Sequence, residues 1–311
     1  METGNSFTKR FVMERKPQTI WRAPHALWFF AMGVGGALYL NRALLGIEMG
    51  RLWGLSLADL LSLALISVGG LILISDLGQP LRFWRALANP RYSWISVGAI
   101  CDFVFLFLDV LVILPDLEIG GGRPLAGLPW AGGAFLGTAM EVVAGVAALI
   151  VIVYPGLVLS YSPSIPFWNT ALIPLQFLAY AFASALGLAL IYGATGLAPP
   201  ASSQTWLLLL GGILALCLLL FVAHLLGAAY TRATARESAR LLVSGHLAAP
   251  FLGGGLVLGL AVPLLAVLFA RPWAGGPPDT VLVLLAGALT LPGNLLSKYG
   301  VIRAGIYPPF L

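Results

Sequence analysis

Two hydrogen-bonding side chains stand at the ends of long apolar runs, His25 at the start of the first and Tyr154 at the end of the fourth. Pro155 and Gly156 follow the tyrosine, and we expect them to stop its helix, which places the phenol where apolar chain meets polar surface. Histidine adds a group that titrates near neutrality. The pair is suited to a ligand with an apolar tail and a polar head. Trp28 lies on the same helix face as His25, where its ring can pack against that ligand.

Acidic residues form the second chemically informative set. Asp102 and Asp109 are seven residues apart in the third apolar run, hence on about the same side of a helix, and Glu141 lies early in the fourth. Asp76 follows the second run. Because carboxylates in lipid are costly and usually mark proton or ion paths, these four predict a proton ladder across the membrane. The alternative is that Ser, Thr or backbone groups satisfy them locally and no proton moves.

Composition assigns the chain to the membrane. Hydrophobic residues make up 59% of the 311 residues and charged residues 9%, against about 25% in soluble domains. The polar segment 1–22 runs directly into an apolar stretch long enough to span, so we expect the first span to be the insertion signal, without cleavage. Cys101 and Cys217 both lie inside apolar runs, which argues against disulfides and bound iron–sulfur clusters.

The apolar runs predict an all-α membrane protein with about eight transmembrane helices in one domain, 1–311, made of the tail 1–22 and the bundle 23–311. Two similar loops, at Asn89–Trp94 and Ser164–Trp168, suggest two four-helix bundles. Pro174, Pro263 and Pro292 are expected to break helices. The predicted spans are Ala23–Leu45, Leu55–Ser75, Ser93–Leu114, Ala134–Val153, Trp168–Ala194, Thr205–Leu225, Pro250–Ala270 and Thr280–Leu296.

Eight spans put both chain ends on one side, named here the terminal face, and basic residues are concentrated there. The positive-inside rule therefore predicts that the terminal face is cytoplasmic, unless some of the arginines bind a partner or phospholipid instead. Three of these arginines lie on Tyr230–Leu242, a predicted amphipathic helix on the membrane surface. The terminal face holds Lys9, Arg10, Arg15, Lys16, Arg22, Arg82, Arg85, Arg91, Arg232, Arg236, Arg240, Lys298 and Arg303; the opposite face holds Arg42, Arg51, Arg123 and Arg271.

The order of short motifs resembles the membrane subunits of the polysulfide reductase (NrfD-like) family, over nearly the whole chain. Each motif is short, and the resemblance depends on five of them occurring in the right order along eight spans. The motifs are Pro24-His25-Ala26-Leu27-Trp28 before Gly33-Val34-Gly35-Gly36; Asp76–Trp84 with Asn89-Pro90 and Ser93-Trp94; Tyr154-Pro155-Gly156 with Pro166–Asn169; Leu241–Phe251; and Lys298–Gly305.

The resemblance implies a membrane anchor without heme or iron–sulfur cluster, in the inner (cytoplasmic) membrane. Such an anchor exchanges electrons between menaquinone or ubiquinone and an iron–sulfur subunit, which serves a catalytic subunit that usually contains molybdenum or tungsten. It also implies that His25, Trp28 and Tyr154 bind the quinone near the terminal face, although the family often has Asn first and His one turn later. The loop arginines Arg82, Arg85 and Arg91 would then pair with acidic groups of the iron–sulfur partner. The resemblance thus implies a subunit of a quinone-linked oxidoreductase complex that is not its catalytic arm.

Two other classes of function remain open. A cytochrome b-type anchor with two hemes needs about four histidines, whereas the sequence has His25, His224 and His246, so a single heme between His25 and His224 is the form to consider. A secondary transporter is the other alternative, although its usual internal repeats are poorly developed here. A heme spectrum tests the first, and substrate uptake by this protein alone in liposomes tests the second.

Overall fold

The structure is a computed structural model that describes residues 15–197, 200–274 and 277–309, with side chains 196–203 excepted. Lys9 and Arg10 of the basic tail lie outside the described residues. Within the described part, eight helices are long and apolar enough to cross a membrane, which confirms the all-α membrane fold. The chain is therefore a multi-pass integral membrane protein.

Nine α-helices and four two-residue strands follow one another along the described part of the sequence. The helices are α1 (Ala23–Leu45), α2 (Leu57–Ser75), α3 (Trp94–Ile113), α4 (Phe135–Ser160), α5 (Leu172–Tyr192), α6 (Pro200–Tyr230), α7 (Ala233–Val243), α8 (Val262–Ala270) and α9 (Thr280–Arg303). The strands are β1 (Lys16–Pro17), β2 (Arg51–Leu52), β3 (Leu55–Ser56) and β4 (Ile306–Tyr307). Tighter 3-10 turns cover Pro80–Leu87 and Leu114–Asp116, and wider π-helical turns cover Gly193–Leu197 and Ala249–Ala261.

Both described ends of the polypeptide meet at the terminal face. β1 pairs with β4 in antiparallel fashion, and the Gln18 backbone N–H donates to the Gly305 carbonyl over 2.9 Å. The buried Gln18 side chain also donates to the carbonyl of Ile302 at the end of α9. These bonds fasten the start of α1 to the end of α9.

Helix α1 is central and packs against α2, α4, α5 and α9. Its glycines make these approaches close: a Cβ at Gly35 would lie 2.8 Å from Ile66 of α2, and one at Gly36 would lie 2.8 Å from Ile152 of α4. Close backbone approach through small residues is the usual way in which membrane helices gain packing energy. The division into two four-helix bundles stays a prediction.

The expectation that Pro155 and Gly156 stop the fourth helix is wrong. α4 continues through both residues to Ser160, so Tyr154 lies inside a helix and is fully buried. A proline removes one backbone hydrogen bond, which membrane helices tolerate when neighbours pack tightly. Gly156 provides that packing, since a Cβ there would lie 2.5 Å from the Cα of Pro174.

The other expected proline breaks are also wrong. α9 runs unbroken across Pro292 to Arg303, Pro174 lies in the first turn of α5, and Pro263 lies in the first turn of α8. Pro174 is harmless there because its missing N–H has no helical acceptor in a first turn. Pro263 lies where the π-helical segment Ala249–Ala261 changes to α8, within one continuous span. The helix predicted over Tyr230–Leu242 is confirmed as α7, Ala233–Val243, and its location on the membrane surface stays a prediction.

Candidate functional site

His25 occupies the first turn of α1 beside the end of α2. Its Nε2 lies 3.3 Å from Asp76 Oδ2, and its Nδ1 accepts from the Arg22 backbone N–H over 3.2 Å. The Trp21 ring packs at 4.8 Å between centroids. Asp76 follows α2 directly. The contact between His25 and Asp76 therefore joins the start of α1 to the end of α2 at the terminal face, and both side chains are partly exposed.

Trp28, one turn further along α1 than His25, is buried against Tyr154. Its ring stacks on Tyr154 at 6.0 Å between centroids with an interplanar angle of 26°. The indole N–H makes no hydrogen bond to any described residue. His25 and Tyr154 have different partners: His25 contacts Asp76 and Trp21, whereas the Tyr154 hydroxyl lies near Met32 and Asp102.

Tyr154 and Asp102 form the deepest polar pair near the terminal face. The Tyr154 hydroxyl lies 3.2 Å from the Met32 sulfur and 3.5 Å from Asp102 Oδ2. The Tyr154 ring fits directly over Gly98 of α3, at a spacing that leaves no room for a Cβ. Asp102 Oδ1 has no hydrogen-bond partner among the described residues.

An apolar cavity of about 300 Å³ lies between α2, α3 and the Pro80–Leu87 turn. Asp102 is the one ionisable residue in its lining, although the sequence assigned this residue only to the proton ladder. The remaining lining is Ile66, Ser67, Gly70, Leu71, Leu73, Ile74, Leu77, Phe83, Ala86, Leu87, Ile95, Ala99, Phe103 and Leu106. Its wall thus combines a carboxyl group with aliphatic and aromatic surface.

A second cluster of polar side chains lies at the opposite-face ends of α1, α2 and α4, and three of its members, Tyr39, Arg42 and Asp59, were missed by sequence reasoning. Arg42 Nε donates to Asp59 Oδ1 over 2.7 Å, and Arg42 Nη1 donates to Glu141 Oε1 over 3.1 Å. Tyr39 donates to the Glu141 backbone carbonyl and lies under the Arg42 guanidinium at 5.0 Å. Arg42, Asp59, Glu141 and neighbours line a pocket of about 140 Å³.

The signal for Arg42 and Asp59 was present in the sequence. Arg42 ends the first span and Asp59 begins the second, so opposite charges stand at equal depth on consecutive helices. The sequence analysis assigned Arg42 to the charges of the opposite face and left Asp59, inside the predicted span Leu55–Ser75, without a role.

Asp109 lies on α3 between the Tyr154–Asp102 pair and the cluster around Arg42. It is fully buried, and neither carboxylate oxygen has a partner among the described residues. The Asn41 side-chain amide, also buried, likewise lacks one. Buried polar atoms are nearly always hydrogen-bonded, so these positions are suited to internal water molecules.

The predicted docking residues lie where the terminal face carries exposed apolar side chains. Arg82 and Arg85 belong to the Pro80–Leu87 turn, and Arg91 follows it. In that turn Leu81 is 93% exposed and Trp84 is 56% exposed. Cations beside exposed aromatic and aliphatic groups are typical of protein interfaces.

His224 is engaged within the protein. Its Nε2 lies 3.0 Å from the Phe167 carbonyl, and its Nδ1 lies 3.2 Å from Gln176 Nε2. The ring also stacks on Phe167 at 4.5 Å. The nitrogen that ligated iron would have to leave its present partner, which disfavours the single-heme alternative.

Comparison with known proteins sets these features beside those of relatives. The family model for polysulphide reductase, NrfD, matches residues 12–308. The C subunit of the polysulfide reductase of Wolinella succinogenes is 26% identical over 313 residues, covering 94% of the present sequence and 96% of the relative. Protein NrfD of Escherichia coli is 26% identical over 310 residues, covering 92% and 95%.

Proposed function

We propose, from the premise that the chain belongs to the NrfD polysulphide reductase family, that it is the quinone-linked membrane subunit of a reductase complex. Its partners are an iron–sulfur subunit and, beyond it, a catalytic subunit that contains molybdenum or tungsten. Quinone is the substrate of this subunit. Electrons pass between it and the iron–sulfur partner at the terminal face.

The observation that carries the proposal is the apolar cavity bordered by Asp102. Ligand sites are typically apolar cavities with a few polar groups, and the volume of about 300 Å³ is at the lower end of their usual range. A quinone ring and the start of its tail match this lining: apolar surface meets carbon, and the Asp102 carboxyl group meets one quinone oxygen.

Quinone chemistry requires protons beside the ring. Reduction adds two electrons and two protons to give the quinol, and oxidation releases them. Asp102 is the group placed to exchange a proton at the inner side, with Tyr154 holding its second oxygen. His25, paired with Asp76, is placed to exchange the other proton with water at the terminal face.

The iron–sulfur partner is proposed to dock on the Pro80–Leu87 turn, because this turn also covers the cavity. Phe83 and Leu87 line the cavity, while Leu81 and Trp84 of the same turn are exposed. A partner seated there would be close to the quinone. Arg82, Arg85 and Arg91 would pair with its acidic groups.

Proton conduction is a further part of the proposal. Asp102, Asp109 and Glu141 are distributed from the cavity toward the opposite face, and Glu141 lines the pocket found there. The unpartnered oxygens of Asp102 and Asp109 are positions for a connecting water chain. The excess of basic residues supports a cytoplasmic location for the terminal face.

The experiment compares matched variants of the complex, purified by a tag on this subunit. Tyr154→Phe and Asp102→Asn each change a polar group with almost no change in volume, and we expect each to lower turnover with quinone at least about tenfold, about 1.4 kcal/mol in the transition state. Tyr161→Phe, on a tyrosine that is 67% exposed, is the control and should keep wild-type turnover. Wild-type turnover in both site variants would remove this cavity from the reaction.

A further inference from the structure

Lys298 is a buried basic residue on α9 that the quinone proposal does not use. Its side chain is 2% exposed, and its Nζ donates to Asn294 Oδ1 over 2.5 Å. The nitrogen also lies 4.8 Å from the centroid of the Phe177 ring. Among the described residues it forms no ion pair, which is unusual because a lone ammonium inside a membrane is costly.

Asn294 is held with its oxygen toward the amine. Its Nδ2 donates to the Ser184 hydroxyl over 2.8 Å and to the Tyr180 carbonyl over 3.2 Å. These two bonds orient the amide, so Oδ1 remains for Lys298. A neutral acceptor of this kind takes a hydrogen bond from a lysine nitrogen in either protonation state, because both NH₃⁺ and NH₂ carry donor hydrogens.

Ser297 precedes Lys298 on α9. Its hydroxyl is buried and makes no hydrogen bond within the described part of the molecule, although it lies near the Tyr180 phenol. It faces the π-helical segment Ala249–Ala261, where a Cβ at Gly255 would lie 2.5 Å from Ser297 Oγ. The Tyr180 hydroxyl donates to the Gly255 carbonyl over 3.1 Å. An unpartnered buried hydroxyl beside other polar groups is where a structural water binds.

The described groups near the amine are neutral on the elements that pack against α9. α1 brings Gly33, where a Cβ would lie 3.9 Å from Nζ, and α5 brings Phe177. The π-helical segment Ala249–Ala261 and α8 also pack against α9, and neither carries a charged or titratable side chain. α6 brings the thiol of Cys217, which is within electrostatic range of the amine. Phe177 favours the charged amine through its ring face, whereas apolar burial favours the neutral amine. No carboxylate among the described residues pairs with the amine to keep it charged.

We propose that Lys298 is a proton-binding site inside the membrane, formed with Asn294 and separate from the acids of α3 and α4. In uptake, the lone pair of the neutral amine forms an N–H bond to a proton delivered by water; release breaks the same bond and leaves the pair on nitrogen. No electron is transferred and no other reactant is required. The site does not depend on quinone binding.

The experiment uses the small number of lysines. The sequence has three, Lys9, Lys16 and Lys298, so a Lys9→Arg/Lys16→Arg variant of the full-length protein carries a single lysine signal. With ¹⁵Nζ-labelled lysine and the protein in lipid bilayers, solid-state NMR distinguishes NH₃⁺ from NH₂. We expect the signal to change from one form to the other between about pH 5 and about pH 10, where exposed lysine remains ammonium.

Two results would overturn the proposal: an ammonium signal throughout this range, which indicates a fixed charge, or an amine signal throughout, which indicates a neutral packing residue. Asn294→Asp is the matched variant, because it has nearly the same shape and supplies a counter-charge. It should hold the nitrogen as ammonium over the whole range. Failure of the quinone experiment alone would leave this result intact, so the two proposals are tested separately.

Discussion

Arg42 and Lys298 are both basic residues on membrane helices, yet the protein neutralises them in different ways. Arg42 lies between Asp59 and Glu141, with an ion pair to each. Among the described residues, the Lys298 amine contacts only neutral groups, the amide oxygen of Asn294 and the ring of Phe177. A cation between two carboxylates stays charged and holds helices together, whereas one with neutral partners is free to exchange its proton. The first arrangement is suited to stability and the second to proton chemistry.

The largest expected effect is on stability at Arg42. Arg42→Met leaves the Asp59 carboxylate, whose side chain is 4% exposed, without its cation, and we expect a loss of about 3–5 kcal/mol in the free energy of unfolding. Thermal unfolding in bilayers or detergent measures it. The double variant Arg42→Met/Asp59→Asn should recover much of the loss, because no unpaired buried charge remains. Equal losses in the single and double variants would show that packing, not charge, matters there.

A smaller effect separates the two acids that contact Arg42. Asp59→Asn removes the buried partner and should cost about 2 kcal/mol, since the asparagine oxygen still accepts from the guanidinium. Glu141→Gln should cost less than about 1 kcal/mol, because the Glu141 side chain is 41% exposed and water already solvates it. The same unfolding measurement compares the two variants. A larger loss for Glu141→Gln than for Asp59→Asn would contradict the conclusion that Asp59 is the main partner of Arg42.

Lys298→Met should change stability much less than Arg42→Met. It removes a donor from Asn294 but leaves no carboxylate unpaired, and it also removes the cost of burying an amine, so we expect about 1 kcal/mol or less. The informative quantity is the difference from Arg42→Met. A loss as large as that of Arg42→Met would mean that Lys298 has a fixed ionic partner.

Cysteine labelling tests which side of the membrane the terminal face occupies. Single cysteines at Ser164, on the terminal face, and at Ala126, in an exposed loop of the opposite face, are labelled from outside intact cells after Cys101 and Cys217 are replaced by alanine. With the terminal face in the cytoplasm, Ala126→Cys reacts and Ser164→Cys does not. The reverse pattern would place the Pro80–Leu87 turn and any partner on it outside.

Much of the fold was readable from the sequence because a membrane span is a local property. Twenty consecutive apolar residues indicate a helix wherever they occur, so all eight spans were found and α1 was predicted with its observed ends.

The ends of other helices were predicted less accurately than their existence. The α9 prediction stopped at Leu296, which placed Lys298 in a tail, because helix continuation into polar residues depends on neighbouring elements such as β1 and the start of α1.

Sequence alone determined the membrane class, the number of spans, the shared side of the two ends and the residue types able to handle protons. Tertiary structure decided which of these meet: Tyr154 with Asp102 rather than His25, Arg42 with Asp59, and Lys298 with Asn294. The reason is that hydrophobicity and helical rise fix the depth of a side chain. Which side chains touch depends on helix rotation and close approach, and these are set by contacts between distant glycines and aromatic rings.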